Sequence, residues 1–225
     1  MQPPINFPVP YQPHRAFTAA FEHCPLIAIL RGITPNEAAD HCWELYEAGF
    51  RVIEVPLNSP KPFDSISEIR KAVPADAIVG AGTVLHASYV KNVKAAGGEL
   101  IVMPHSDPEI IFAAKAQGLA SASGVSTPTE AFQALKNGAD ALKVFPAEVL
   151  GPRVVKAWRA VIAPEVPLVP VGGITPESME AFLASGANGF GLGAPLYMPG
   201  QSAAVTASRA QAFITSLHAA KAKLL

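Results

Sequence analysis

The sequence lacks the features that would place the protein in a membrane or on a nucleic acid. None of its apolar runs approaches the roughly 20 residues that a membrane-spanning helix needs. Its amino terminus has no basic segment followed by an apolar one, so we expect no signal peptide. The 17 Lys and Arg residues are balanced by 18 Asp and Glu residues and form no basic stripe. We therefore expect no nucleic-acid partner and no membrane contact.

The sequence contains only two cysteines, which indicates where in the cell the protein acts and whether it binds a metal. Cys24 and Cys42 do not form a C-x-x-C pair, so we expect buried free thiols in a reducing, cytoplasmic environment. The histidines show no metal-ligand spacing such as H-x-x-x-H, and we expect neither a metal nor another cofactor.

What the sequence does contain is a repeating pattern of apolar strands and helices. Residues 1–13 predict a proline-rich amino-terminal arm, and residues 14–23 predict a short helix. The remainder predicts eight buried strands, each followed by a helix. The predicted strands are Leu26–Leu30, Val52–Pro56, Ala77–Thr83, Leu100–Pro104, Leu119–Gly124, Ala141–Phe145, Leu168–Val171 and Gly189–Leu192.

The boundaries of the helices follow ordinary capping chemistry. Thr34, Asp107, Thr127 and Thr175 each precede a proline, which is favoured at the first helical position, and glycines end the helices. We interpret Asp107, within His105-Ser106-Asp107, as a helix cap and not as part of a catalytic triad, because consecutive side chains do not converge.

Eight such units predict an α/β fold, a (β/α)8 TIM barrel with a short amino-terminal helix, formed by residues 14–225 as one domain. The alternative is a doubly wound open sheet. That fold favours a glycine fingerprint after the first strand, which Arg31-Gly32 does not provide.

Two charged residues interrupt the apolar strands. By strand alternation, Glu54 in the second strand and Lys143 in the sixth both point into the barrel. Burial makes a lysine neutral and nucleophilic, so Lys143 can form a Schiff base with a ketone while Glu54 moves protons. The alternatives are a lysine whose amine extends to water and a structural ion pair.

Further candidates lie where the strands end. The glycines Gly172, Gly173, Gly191 and Gly193 follow the seventh and eighth strands, the usual phosphate site of such barrels, although turn geometry alone also explains them. Arg31, at the end of the first strand, is a neighbour of that site around a closed barrel and is able to add a charged contact; the alternative is a surface arginine.

Several segments together resemble the class I aldolases of 2-keto-3-deoxy-6-phospho sugar acids. The resemblance implies a TIM barrel, usually a homotrimer, that yields pyruvate and D-glyceraldehyde 3-phosphate without a cofactor. It implies the Schiff-base role for Lys143, the acid/base role for Glu54, carboxylate contacts near Thr83, and Pro104 beside the site. The segments are Ile29–Pro35, Val55–Pro60, Gly80–Val84, Lys143–Pro146 and Val171–Pro176.

Within that family, two residues resemble the members that act on the galactonate configuration at C4. Asn58 stands where the gluconate enzymes usually have arginine, and Val171 where they usually have threonine. Two features differ from this pattern: Ala147-Glu148 is more like the gluconate enzymes, and Ala194 replaces a serine that contacts phosphate in many relatives. The gluconate epimer as substrate, a metal-assisted epimerase and a noncatalytic phosphate-binding barrel remain alternatives.

Overall fold

The computed structural model describes residues 11–224, so most of the predicted arm lies outside the described residues. Within this range eight strands alternate with helices. The strands are β1 (Leu26–Ile29), β2 (Val52–Pro56), β3 (Ile78–Gly82), β4 (Leu100–Val102), β5 (Ala120–Val125), β6 (Ala141–Val144), β7 (Leu168–Pro170) and β8 (Phe190–Leu192). The helices are α1 (Arg15–His23), α2 (Pro35–Glu47), α3 (Pro62–Ala72), α4 (Val90–Ala95), α5 (Pro108–Ala116), α6 (Pro128–Lys136), α7 (Ala147–Arg159), α8 (Met179–Ala184) and α9 (Ala203–Ala222), with a short 3-10 turn, Ala87–Tyr89, before α4.

The strands form one parallel sheet that curls into a nearly closed barrel. Each strand pairs with the next along the chain from β1 to β7, and β1 also pairs with β8. A single parallel bridge between Val171 and Gly191 joins β7 to β8. The predicted (β/α)8 barrel is confirmed, and its weakest seam lies between β7 and β8.

The buried side chains form two layers. Ile53, Val55, Leu142 and Val144 belong to the outer layer, between the barrel and its helices. Alternate residues along the strands fill the barrel interior, together with the stacked rings of Phe17 and Phe21 from α1. Because α1 precedes β1, these rings close the amino-terminal end of the barrel. The alternation puts Glu54 and Lys143 on the interior face. The interior strand residues are Ile27, Ile29, Val52, Ile78, Leu100, Val102, Ala120, Ala122, Ala141, Val169 and Val171.

The predicted helix caps at Asp107 and Thr127 are confirmed. Asp107 accepts backbone N–H groups from Glu109 at 2.8 Å and Ile110 at 3.3 Å. Thr127 accepts the N–H of Glu130 at 3.3 Å.

The predicted starts of two helices are wrong. α8 begins at Met179 and not at Thr175, because a turn intervenes in which Ser178 Oγ accepts the Thr175 N–H at 3.0 Å. α7 begins at Ala147 and not near Val154. Gly151, with φ of 70°, kinks α7 and made its first turn look like a loop in the sequence.

A buried aspartate fixes α1 to the amino-terminal side of the barrel. The Asp140 carboxylate accepts the backbone N–H groups of His14 and Ser121, each at 2.7 Å, and the Lys115 amine at 2.8 Å. The Tyr11 hydroxyl donates to the Asp140 carbonyl. Within residues 11–224, no helix combines the length and apolar character that crossing a membrane requires.

Candidate active site

Glu54 and Lys143 lie within the barrel on opposite sides. Glu54 is 1% exposed and aligns with Ile29 of β1 and Gly80 of β3. Lys143 is 5% exposed and aligns with Gly124 of β5 and Val169 of β7. The sequence-based expectation that both side chains share one interior therefore agrees with the strand register.

Both groups are poorly solvated, and this shifts their protonation. Burial raises the pKa of Glu54 to about 7, although the positive charges of Lys143 and Arg31 oppose the shift. Burial also lowers the pKa of Lys143, with Arg31 adding to the effect and Glu54 opposing it. Glu54 Oε2 is buried and finds no hydrogen-bond partner in the described part of the chain. A carboxyl group whose pKa lies near 7 can take up and release a proton near neutral pH, and burial favours the neutral, nucleophilic form of the amine.

Glycines on the interior strands allow close approach of neighbouring groups, and Gly82 leaves room for the Glu54 carboxylate. A Cβ at Gly82 would overlap that carboxylate, and a Cβ at Gly80 would overlap the Leu100 backbone. A Cβ at Gly124 would overlap the backbone of Pro104, which places Pro104 beside the strand position paired with Lys143. Sequence reasoning missed the role of Gly80 and Gly82, although their alternation in β3 was a usable signal.

Arg31, Asn58 and Thr83 converge at the barrel mouth. Arg31 Nη1 donates to Asn58 Oδ1 at 2.6 Å, and Nη2 donates to Thr83 Oγ1 at 3.3 Å. Thr83 holds a φ of 53°, an uncommon conformation for a residue other than glycine. The guanidinium is thus directed towards the ends of β2 and β3 and not towards the β7–β8 seam, where the phosphate site was predicted.

The two remaining interior contacts involve apolar side chains. The amine of Lys143 lies 4.8 Å from the ring centroid of Phe145, a contact that sequence reasoning missed. Val171 is 8% exposed and packs close to the position of Gly191. Phe145 and Val171 thus add apolar surface to the barrel interior and no side-chain hydrogen-bond donor.

The predicted phosphate-binding glycines lie along the β7–β8 seam. Gly172 and Gly173 have φ values of 109° and 65°, which disfavour other residues. A Cβ built on Gly193 would meet no heavy atom of the described residues within 4 Å. A Cβ on Gly172 would instead overlap the carboxylate of Glu148, from the first turn of α7. Sequence reasoning did not foresee an acidic group against these glycines, because it placed the start of α7 too late.

The arrangement offers an amine, a proton-transferring carboxylate and a cation within one barrel mouth. Such a set can form an imine with a ketone and move protons on and off the attached carbons. The residues from 11 to 224 contain no cluster of three or more His, Cys, Asp or Glu side chains suited to a metal ion.

Comparison with known proteins identifies the family of this chain. The aldolase family described as KDPG and KHG aldolase matches residues 18–205. The 2-dehydro-3-deoxy-6-phosphogalactonate aldolase of Escherichia coli (strain K12) is 45% identical over 190 residues, which cover 84% of this chain and 93% of that protein.

Solved structures agree with this match. A native structure of KDPGal is 44% identical and superposes with a TM-score of 0.86, covering 88% of this chain and 96% of that one. The KDPG aldolase from Legionella pneumophila, with pyruvate captured as a covalent carbinolamine intermediate, is 25% identical with a TM-score of 0.74, covering 93% and 98%. With a family match across most of the barrel, the chain belongs to the KDPG and KHG aldolase family.

Proposed function

We propose that this chain is a class I aldolase that cleaves 2-dehydro-3-deoxy-6-phosphogalactonate reversibly to pyruvate and D-glyceraldehyde 3-phosphate. The observation that carries the proposal is the desolvated pair of Lys143 and Glu54 inside one barrel. Further support comes from a relative in the same family in which pyruvate was captured as a covalent carbinolamine.

The reaction begins with the amine. Neutral Lys143 attacks the C2 ketone of the sugar acid to give a carbinolamine, which takes up a proton from solvent and loses water to form a protonated imine; the final hydrolysis returns that proton. Glu54 then takes the proton of the C4 hydroxyl, and the C3–C4 bond breaks as its electron pair moves towards the imine nitrogen. The aldehyde leaves and an enamine remains on Lys143. Glu54 returns a proton to C3, and water hydrolyses the imine to release pyruvate and free Lys143.

The groups that bind the pyruvyl end of the substrate are assigned from the contacts at the carboxyl-terminal mouth of the barrel. Arg31 and Thr83, which contact each other, bind the carboxylate at C1. Pro104, packed on Gly124 beside the strand position of Lys143, borders the pyruvyl carbons.

At the other end of the substrate, backbone amides of the seam glycines bind the phosphate. These glycines are Gly172, Gly173, Gly191 and Gly193. This phosphate site is the part of the proposal on which the further inference below depends.

Preference for the galactonate configuration is supported by two side chains and by the relatives. Asn58 is held by Arg31, and buried Val171 offers no hydrogen bond to a substrate hydroxyl, in contrast to threonine. The relatives named for the galactonate substrate reach 45% identity. Cleavage of the galactonate and gluconate epimers by the purified protein, compared side by side, checks the preference; faster cleavage of the gluconate epimer would reverse it.

The central test of the mechanism is covalent trapping. Pyruvate with borohydride should leave a reduced adduct on Lys143, located by mass spectrometry of peptides. Lys143→Ala should lose both the adduct and cleavage, whereas Lys136→Ala, on the exposed side of α6, should keep both. Cleavage retained in Lys143→Ala would refute the Schiff-base mechanism.

The exclusion of the alternative functions, the oligomeric state and the cellular location stay predictions. A metal-assisted epimerase would lose activity on chelation, and a noncatalytic barrel would bind phosphorylated sugar acids without turnover. The homotrimer implied by the resemblance can be measured by light scattering, and the cytoplasmic location by fractionation.

A further inference from the structure

The feature that the reaction leaves unexplained is the position of Glu148. Its side chain extends from the first turn of α7 across Gly172 and Gly173, so that a Cβ on Gly172 would overlap its carboxylate. The same carboxylate is exposed, and the ion pairs found among residues 11–224 do not include it. The glycines proposed to hold a phosphate therefore face a carboxylate that no ion pair among residues 11–224 offsets.

The side chains near the seam glycines offer little that would bind a phosphate or offset the charge of Glu148. Ala194, beside Gly193, carries no hydroxyl that could bind a phosphate oxygen. Arg209 reaches the same loop, but its guanidinium is bound to the Ala194 carbonyl at 3.3 Å and to Gln201 Oε1 at 2.8 Å. Phosphate binding thus depends on backbone amides, and the Glu148 carboxylate lies against Gly172, one of the residues whose amide is proposed to bind the phosphate.

We propose that Glu148 is a specificity-determining residue that opposes the phosphate end of the substrate. This inference rests on the proposed function, since it takes the seam glycines as the phosphate site. With its carboxylate against Gly172 and Gly173, Glu148 repels a phosphate dianion that binds to the amides of these glycines. A substrate whose terminal group is an uncharged hydroxyl meets no such repulsion. Glu148 therefore reduces the difference in affinity between phosphorylated and unphosphorylated substrates.

A purely structural role for Glu148 makes a different prediction. An acidic residue in the first turn of a helix is stabilising, because it complements the amide dipoles there. Loss of that interaction would lower the melting temperature slightly without changing the affinity for phosphate. Glu109, exposed in the first turn of α5, has the same helical position and supplies a matched control away from the seam.

The test uses Glu148→Gln, with Glu148→Ser as a second variant and Glu109→Gln as the control. In the condensation of pyruvate with D-glyceraldehyde 3-phosphate, Glu148→Gln should lower the KM for the aldehyde by about three- to tenfold, as expected for loss of a partly screened charge pair. Inhibition by inorganic phosphate should strengthen by a similar factor. The KM for unphosphorylated D-glyceraldehyde should not change, and Glu109→Gln should match the unsubstituted protein throughout.

Two results would overturn the inference. One is an unchanged or higher KM for the phosphorylated aldehyde in both Glu148 variants. The other is failure of inorganic phosphate to inhibit any of the proteins, which would mean that the seam does not bind phosphate. Borohydride trapping of pyruvate on Lys143 separates these outcomes from failure of the proposed mechanism, because trapping involves no phosphate.

Discussion

The Glu54 carboxyl is the titrating group on which the proposed chemistry depends. As a base it must be ionised, and burial raises its pKa to about 7. The cleavage kcat/KM should therefore fall as the pH drops below about 7. Glu54→Gln should reduce kcat by about 10²- to 10⁴-fold, the usual contribution of a general base.

Rate measurements from pH 5 to 9 check this prediction, with trapping on Lys143 as the control for correct folding. A profile that is flat through pH 7, or a Glu54→Gln variant with normal kcat, would contradict the acid/base role.

The site residues that lie in strands could be predicted from the sequence. Glu54 and Lys143 stand out because each is a charge in an apolar strand, and strict alternation then fixes the face on which each lies. The contacts of Arg31 with Asn58 and Thr83 were not predictable, since they depend on how three loops fold over the barrel. The position of Glu148 was missed because the local sequence does not show that a helical turn precedes the kink at Gly151.

At the scale of elements, Asp140 is the main polar link between α1, α5 and the barrel. Asp140→Ala would leave the His14 and Ser121 N–H groups without their acceptor, so we expect it to lower the free energy of unfolding by about 3 kcal/mol. Lys115→Ala, which removes a part-exposed partner, should cost less.

Urea unfolding of the three proteins measures this order. An Asp140→Ala variant as stable as the unsubstituted protein would show that α1 is held by its apolar contacts alone. Borohydride trapping on Lys143 should be retained in any folded fraction, because the Asp140 cluster lies at the opposite end of the barrel from the mouth.

Element boundaries were predictable where capping chemistry is unambiguous. Asp107 and Thr127 begin helices as expected, since each side chain has backbone N–H groups to accept. Thr175-Pro176 has the same signature, yet it forms a turn closed by Ser178 before α8 begins. Thr-Pro suits both a helix start and a turn, so the dipeptide alone does not distinguish them.

For the whole molecule, the proposed catalytic carboxylate reduces stability above neutral pH. Its pKa rises from an ordinary 4.5 to about 7 on folding, so between these values the folded state holds the proton more tightly. Stability is therefore lost as the pH rises through this window, and above about pH 7 the cost is on the order of 3 kcal/mol, with the attraction to Lys143 and Arg31 already contained in the pKa.

Glu54→Gln should accordingly be more stable than the unsubstituted protein at pH 8, with the gain shrinking towards pH 4.5. Urea midpoints at pH 5 and pH 8 check this, with the exposed Glu109→Gln as the control. If Glu54→Gln is no more stable at pH 8, the carboxylate is better solvated than its burial indicates.

Within residues 11–224, the rings of Phe17 and Phe21 fill the amino-terminal end of the barrel, so we expect substrate and products to pass through the carboxyl-terminal end. In the proposed mechanism the pyruvyl carbons stay covalently bound to Lys143 when the C3–C4 bond breaks, whereas the aldehyde fragment is free to leave. The aldehyde must therefore depart first and pyruvate last, and in the reverse direction pyruvate must enter before the aldehyde. If Lys143 forms the proposed covalent bond, a closed amino-terminal end and that bond together impose a compulsory order of product release.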